Sequence, residues 1–145
     1  MKIINHELEV DTEQGFSLFD VTPEIRQWLK ENQAMNGTVT ITSQHTTTAV
    51  VINEFESRLL DDIKTFFLKL APENDRYLHN DIHLRDCPQD EPENAHSHLI
   101  AMMMGSSESI PVINGDLILG QYQSVILVEL DGIRKRKLAI QFIGI

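Results

Sequence analysis

A chain of 145 residues with 41% hydrophobic and 23% charged residues has the composition of a folded globular domain, long enough to bury a core without covalent staples. Its formal net charge of −10 argues against a general nucleic-acid-binding role, because neutralising phosphates takes a basic surface. One cysteine, Cys87, rules out an intrachain disulfide, and no stretch approaches the roughly 20 apolar residues of a bilayer span, so a single soluble, cytoplasmic domain over residues 1–145 is expected.

In chain order, Lys2 to Val10 alternates loosely and predicts a strand, with no apolar stretch of signal-peptide length around it. Thr22-Pro23-Glu24 predicts a helix start, Thr22 as N-cap and Pro23 at the first helical position, with Ile25, Trp28 and Leu29 on one side up to about Ala34. Asn36-Gly37, both tolerant of positive φ, is expected to end it. Thr38 to Ser43 alternates cleanly, and extending its parity puts Ser43 and His45 on the apolar side with Val39 and Ile41. Ala49 to Ile52 predicts a buried strand closed by Asn53-Glu54.

Glu56 to Leu70 carries the strongest helical period, with Leu59, Ile63, Phe66, Phe67 and Leu70 in one stripe and Asp62 beside it. From Ala71 to Glu93 the chain is polar, with three prolines and no helical period, and predicts a long loop bearing His79, Asp81, His83, Asp86 and Cys87. Asn94 then predicts the cap of a short helix to about Met104, ended by Gly105-Ser106-Ser107. The remainder predicts antiparallel strands: Ile110 to Ile113, a turn at Asn114-Gly115, Asp116 to Gly120, Gln121 to Leu130, a turn at Asp131-Gly132, and Leu138 to Ile143. The basic run Arg134-Lys135-Arg136-Lys137 is expected at a solvated strand end. Strands at both ends and helices between them predict an α+β fold, an antiparallel sheet or sandwich with a few packed helices.

Histidine is distributed unevenly: five of six fall between His45 and His98, among carboxylates and amides. Neutral imidazole is the commonest protein ligand of transition metals, and three leave a coordination position open, but no compact zinc spacing is present. His96 and His98, two apart on a helix, point about 200° from each other, so at most one serves a given site, and His98 borders the apolar face. The Met102-Met103-Met104 run is expected in helix packing. No GxGxxG, Walker or GxSxG string occurs, so nucleotide-cofactor and serine-hydrolase readings lack support.

The strings Gln44-His45-Thr46-Thr47-Thr48-Ala49, Ile52-Asn53-Glu54, Asn94-Ala95-His96-Ser97-His98-Leu99, Gly105-Ser106-Ser107, Ile110-Pro111-Val112 and Asp131-Gly132-Ile133-Arg134 resemble the YjbQ family, in the family's order from about Thr38 to Gly144. Its members are described as secondary thiamine-phosphate synthases. The resemblance implies a β-sandwich-like α+β fold, a homotrimer, and condensation of a pyrimidine pyrophosphate with a thiazole phosphate. It also implies a metal site at His45, His79 and His98, catalytic positions at Glu54, Asp62 and Gln123, and anion contacts at Ser106, Ser107 and Arg134. The chain departs from the family at Glu56-Ser57, at Gly120-Gln121-Tyr122-Gln123 and at Ile133, positions nearer the substrate than the metal.

Three imidazoles favour Zn²⁺ over the hard Mg²⁺ that usually accompanies pyrophosphate, and the chain is acidic. The expectation is therefore a metal-dependent enzyme on a small phosphorylated substrate, with zinc as the ion. Thiamine-phosphate synthesis is then a side activity of a metal-assisted hydrolysis or transfer. The alternative is a metal- or small-anion-binding module without turnover.

Overall fold

The computed structural model describes every residue from Met1 to Ile145. Eight strands and three helices follow in the order β1 (Lys2–Asp11), β2 (Gly15–Asp20), α1 (Thr22–Glu31), β3 (Gly37–Ser43), β4 (Thr48–Asn53), α2 (Ser57–Leu70), α3 (Ala95–Met104), β5 (Ser107–Ile113), β6 (Asp116–Leu117), β7 (Ser124–Gly132) and β8 (Lys135–Gly144). Two antiparallel sheets form, one in the order β1-β8-β3-β5-β6 and one in the order β2-β7-β4. The fold is α+β, as strands at both ends with helices between them predict.

Strand parity explains the layering. In β7 every residue from Val125 to Leu130 is buried. Val125 and Leu127 face the larger core with Val39, Ile41, Leu138, Ile140 and Phe142 of the other sheet. Ile126, Val128 and Leu130 face the other way, onto Ile100 and Ala101 of α3. A strand covered on both sides needs a continuous apolar run, and Val125–Val128 supplies it. Trp28, Leu29 and Ile25 of α1 join the larger core.

Local expectations meet several corrections. An additional strand, β2, outside the sequence-predicted elements, pairs with β7 from Gly15 to Asp20. Thr22 is the first residue of α1, not its cap: its hydroxyl accepts the Val125 N–H at 2.8 Å, while the Asp20 carboxylate accepts the Thr22 N–H at 3.0 Å. Helix α1 closes through Gln33 at φ +50° rather than through Gly37. Gly37 is needed for close approach, since a Cβ there would collide with the backbone of Ile143 and Gly144. The Asn114-Gly115 turn is as expected, with φ +53° and +82°, the pattern of a type I′ hairpin.

Helix α2 keeps its predicted range, with the Glu56 carboxylate accepting the Leu59 N–H at 2.6 Å, but none of its residues is buried. Phe66 and Leu70 are each 56% exposed, so its apolar stripe is only partly covered within one chain. The 71–93 segment is ordered by short turns at Leu78–Asn80 and Ile82–Leu84.

The basic run is the largest correction. Arg136 is 4% exposed, sharing the inward parity of Leu138, Ile140 and Phe142. Its Nε donates to both carboxylate oxygens of the fully buried Glu129, at 3.1 and 2.8 Å, and Nη2 donates to Thr47 Oγ1 at 2.7 Å. Thr12 Oγ1 donates to the same carboxylate at 3.0 Å. Lys135 and Lys137 remain outside, 3.9 and 3.7 Å from Glu9 and Glu7.

Removing one member of a fully desolvated pair strands the other. Arg136→Ala is therefore expected to lower the unfolding free energy by about 3–5 kcal/mol, read as a fall in the urea midpoint. Lys135→Ala at the exposed pair should change it by less than about 1 kcal/mol.

Candidate functional site

The site is built where the β3–β4 connection meets α3 and the β7–β8 connection, which crosses between the sheets rather than forming a hairpin. After Ser43 the chain leaves the sheet, the Ser43 and Thr48 hydroxyls hydrogen-bond across the corner, and Thr47 O accepts the Leu130 N–H at 3.1 Å. His45 therefore abandons the strand parity that placed it in the core. It is half-buried at the rim, and its Nε2 accepts the backbone N–H of Lys137 at 3.0 Å.

Helix α3 brings His98 to the same place. The Ala95 N–H is capped by Asn80 Oδ1 at 3.1 Å, and Ser97, wholly buried, donates to Leu130 O at 2.7 Å. Asn94 does not cap through its side chain; its Nδ2 donates to Asp131 Oδ2 at 2.7 Å. The short turn at Leu78–Asn80 sets the His79 ring edge-on against His98, with centroids 4.7 Å apart.

Two clefts adjoin here, both lined by Gln44, His45, Thr46 and His98. The larger, about 590 Å³, continues along Ser43, Thr48, Ala101, Met102, Gly105 and Ser106. The smaller, about 320 Å³, is walled by Asn94, Asp131, Arg134 and Arg136, with Thr47, Glu91 and Pro92 around them, and has no hydrophobic lining residue.

Burial first, and the Arg136 guanidinium second, hold His45 below the ordinary imidazole value. Burial first, and the neighbouring His79 second, do the same for His98, against the opposing influence of Asp131. Both rings are neutral at physiological pH. With Nε2 of His45 accepting a backbone N–H, a neutral ring carries its proton on Nδ1 and offers a donor there.

Of the residues expected from sequence, the fold brings together His45, His79, His98, Ser106 and Arg134. Arg134 donates to Asp131 O and Oδ2, both at 3.0 Å. Ser107 turns to a neighbouring strand, its hydroxyl 2.8 Å from that of Thr42. Glu54 and Gln123 stand at the opposite end of β4: Glu54 follows Asn53, which pairs with Ser124, the residue after Gln123. The six residues of β4 put roughly 17 Å between the two ends. Gln123 Oε1 closes a turn by accepting the Gly120 N–H at 2.7 Å, and Asp62 is exposed on α2.

The three histidines do not fit a shared metal as they stand. No three His, Cys, Asp or Glu side chains converge on one point, and the His45 lone pair at Nε2 is engaged by Lys137. Sequence reasoning missed Arg136, Asn94 and Asp131 as lining residues. For Arg136 a signal existed: extending the parity of Leu138 and Ile140 back by two positions points it inward.

The comparisons agree on kinship. The family model described as UPF0047 protein YjbQ-like matches residues 6–145. A UPF0047 protein of Methanothermobacter thermautotrophicus is 37% identical over 144 residues, covering 99% of this chain and 94% of its own. The UPF0047 protein YugU of Bacillus subtilis is 30% identical, covering 94% and 97%. Among solved structures, a YbjQ-like protein of unknown function from Sulfolobus solfataricus P2 superposes with a TM-score of 0.88 at 32% identity, covering 99% of both chains. A hypothetical protein from Aeropyrum pernix K1 gives 0.89 at 34%, covering 98% and 99%.

A histidine whose folded pKa is lowered resists protonation that the unfolded chain accepts. The stability present above about pH 6.5 is then lost as pH falls through the lower folded values. NMR titration of the imidazole carbons should place both midpoints below 6.5, with ¹⁵N shifts reporting a Nδ1–H tautomer for His45. A midpoint above 6.5 for either residue would contradict the burial argument.

Proposed function

The chain belongs to the YjbQ-like UPF0047 family, and from that premise we propose that it is a transferase on small phosphorylated molecules, of the secondary thiamine-phosphate synthase kind, reacting at the His45–His98 cleft. The observation that carries this reading is that two neutral imidazoles form a common wall of two adjoining clefts beside Arg134 and Arg136.

Transfer from a phosphorylated donor needs two things: stabilisation of the departing anion and a base for the incoming nucleophile. The His45 Nδ1–H and the guanidinium of Arg134 suit the first. His98, kept unprotonated by burial, suits the second, with His79 steadying its ring. The reaction native to this site is hydrolysis or transfer, with condensation of a pyrimidine pyrophosphate and a thiazole phosphate as a secondary activity. The second reading, a zinc ion at His45, His79 and His98, is favoured by the His79–His98 contact and requires His45 to release the Lys137 N–H. A binding module without turnover remains the alternative class.

We further propose self-association as a homotrimer, supported by the uncovered face of α2 at Phe66 and Leu70. Within one chain Glu54 and Gln123 stand away from the histidines; a neighbouring copy is how they reach such a cleft.

In the condensation assay, and in hydrolysis of small phosphate and pyrophosphate esters, His98→Ala is expected to lower kcat/KM by about 10²–10⁴-fold, with activity surviving dialysis against a chelator. Undiminished activity in His98→Ala would remove the cleft from the reaction. Near-stoichiometric zinc by mass spectrometry, absent in His98→Ala, would replace the acid–base reading with the metal one. Light scattering after gel filtration should give the mass of three chains, reduced by Phe66→Glu; a wild-type monomer would end the trimer proposal.

A further inference from the structure

The smaller cleft is lined by Asn94, whose side-chain amide carries an unsatisfied polar atom. Asn94 is 7% exposed, and its Oδ1 is buried without a hydrogen-bond partner. The amide orientation is fixed by chemistry: the other atom, Nδ2, lies 2.7 Å from the Asp131 carboxylate, which can only accept. The unpartnered atom is therefore an acceptor, and only a donor can satisfy it.

The cations in the same cleft limit what that donor is attached to. Arg136 is buried, and its hydrogen bonds leave from Nε and Nη2, to Glu129 and Thr47. Its hydrogen bonds leave Nη1 uncommitted in a residue that lines the cleft. Arg134 uses Nε and Nη2 on Asp131 and likewise leaves Nη1. The Asp131 carboxylate is engaged by Asn94 and Arg134. Glu91 is the one further carboxylate in the lining. A hard cation held by Asn94 Oδ1 and Glu91 would face two guanidinium groups at close quarters, which disfavours it.

We infer that the cleft walled by Asn94, Asp131, Arg134 and Arg136 is a subsite for a small anion carrying a hydroxyl donor beside its negative group. The anion pairs with the uncommitted Nη1 groups, and the donor bonds to Asn94 Oδ1. The larger cleft, across the His45–His98 wall, then holds the other reactant or the less polar part of the same molecule. This deepens the proposed function and rests on its placing of substrate at this wall. A ligand lacking the donor leaves a buried acceptor unpaired, the kind of loss that discriminates strongly between otherwise similar ligands.

The test uses matched probes on the intact chain, without turnover: ethyl phosphate, 2-methoxyethyl phosphate and 2-hydroxyethyl phosphate, titrated by NMR chemical shift. 2-Hydroxyethyl phosphate is expected to bind about tenfold tighter than the other two. Asn94→Ala should erase that preference, so that the three probes bind alike. Arg134→Gln should weaken all three together. Circular dichroism checks that each variant is folded, and Asn94→Ser is the second variant should alanine unfold. Equal affinities of the wild type for the three probes overturn the subsite while leaving the proposed function standing, as does a preference that survives loss of the Asn94 amide. Absence of binding by any phosphate ester overturns both.

Discussion

A single buried ion pair organises the end of the sandwich that matters. Glu129 and Arg136 face each other between the sheets, Glu129 wholly buried and Arg136 open only at the edge that lines the smaller cleft. Isolated charges in that position would cost several kcal/mol each. They are tolerated because Thr12 and Thr47 complete their hydrogen bonding. Those two threonines belong to the β1–β2 and β3–β4 connections, and the pair itself brackets the β7–β8 connection. Three crossings between the sheets thus converge on one salt bridge. A hydrophobic pair of similar volume could fill the space, but it would not fix the rotation of the β3–β4 corner.

That corner carries His45, and its position follows directly. Arg136 points inward, so its neighbour Lys137 presents its backbone N–H on the opposite register, where His45 Nε2 receives it. From the other side, Ser97 and Asn94 tie α3 to Leu130 and Asp131 at the end of β7. The helix start is therefore referenced to the strand that holds Glu129. His98 and His45 become neighbours although 53 positions separate them in the sequence. Asn80 caps α3 in place of the helix's own Asn94, which is how the polar 71–93 segment delivers His79 to the same wall.

Much of this frame is legible in sequence because it rests on periodicity. The apolar stripe of α2, the alternation of β3 and the Asn114-Gly115 turn each follow a local rule and fall where that rule puts them. The misreadings share a different cause. Arg136 lies in a run of four basic residues, and charge suggested solvent where strand parity pointed inward. His45 was assigned by parity that stops at Ser43, because the chain crosses between sheets there. Thr22 has the chemistry of a cap, yet its hydroxyl is taken by Val125 more than a hundred residues away. The uncovered stripe of α2 shows that an apolar face states a need for burial without naming the partner. For the site, the histidines were visible as a group, whereas Glu54 and Gln123 were carried in by resemblance, and the fold separates them from the group.

The backbone bond to His45 also bears on which chemistry the site can do. A histidine in a structural metal site typically donates its second nitrogen to a carboxylate or carbonyl, which frees the first lone pair for the ion. Here the second nitrogen accepts instead. The neutral ring is left with an outward N–H, the arrangement suited to an anionic ligand. Nearby, the partly uncommitted guanidinium groups of Arg134 and Arg136 add positive charge to a chain whose net charge is −10. An acidic surface repels polyanions at long range, while the free guanidinium N–H groups of a small recess can still bind a compact anion at contact. Donor imidazole, recessed guanidinium groups and overall acidity therefore favour the same class of ligand, a small and compact anion.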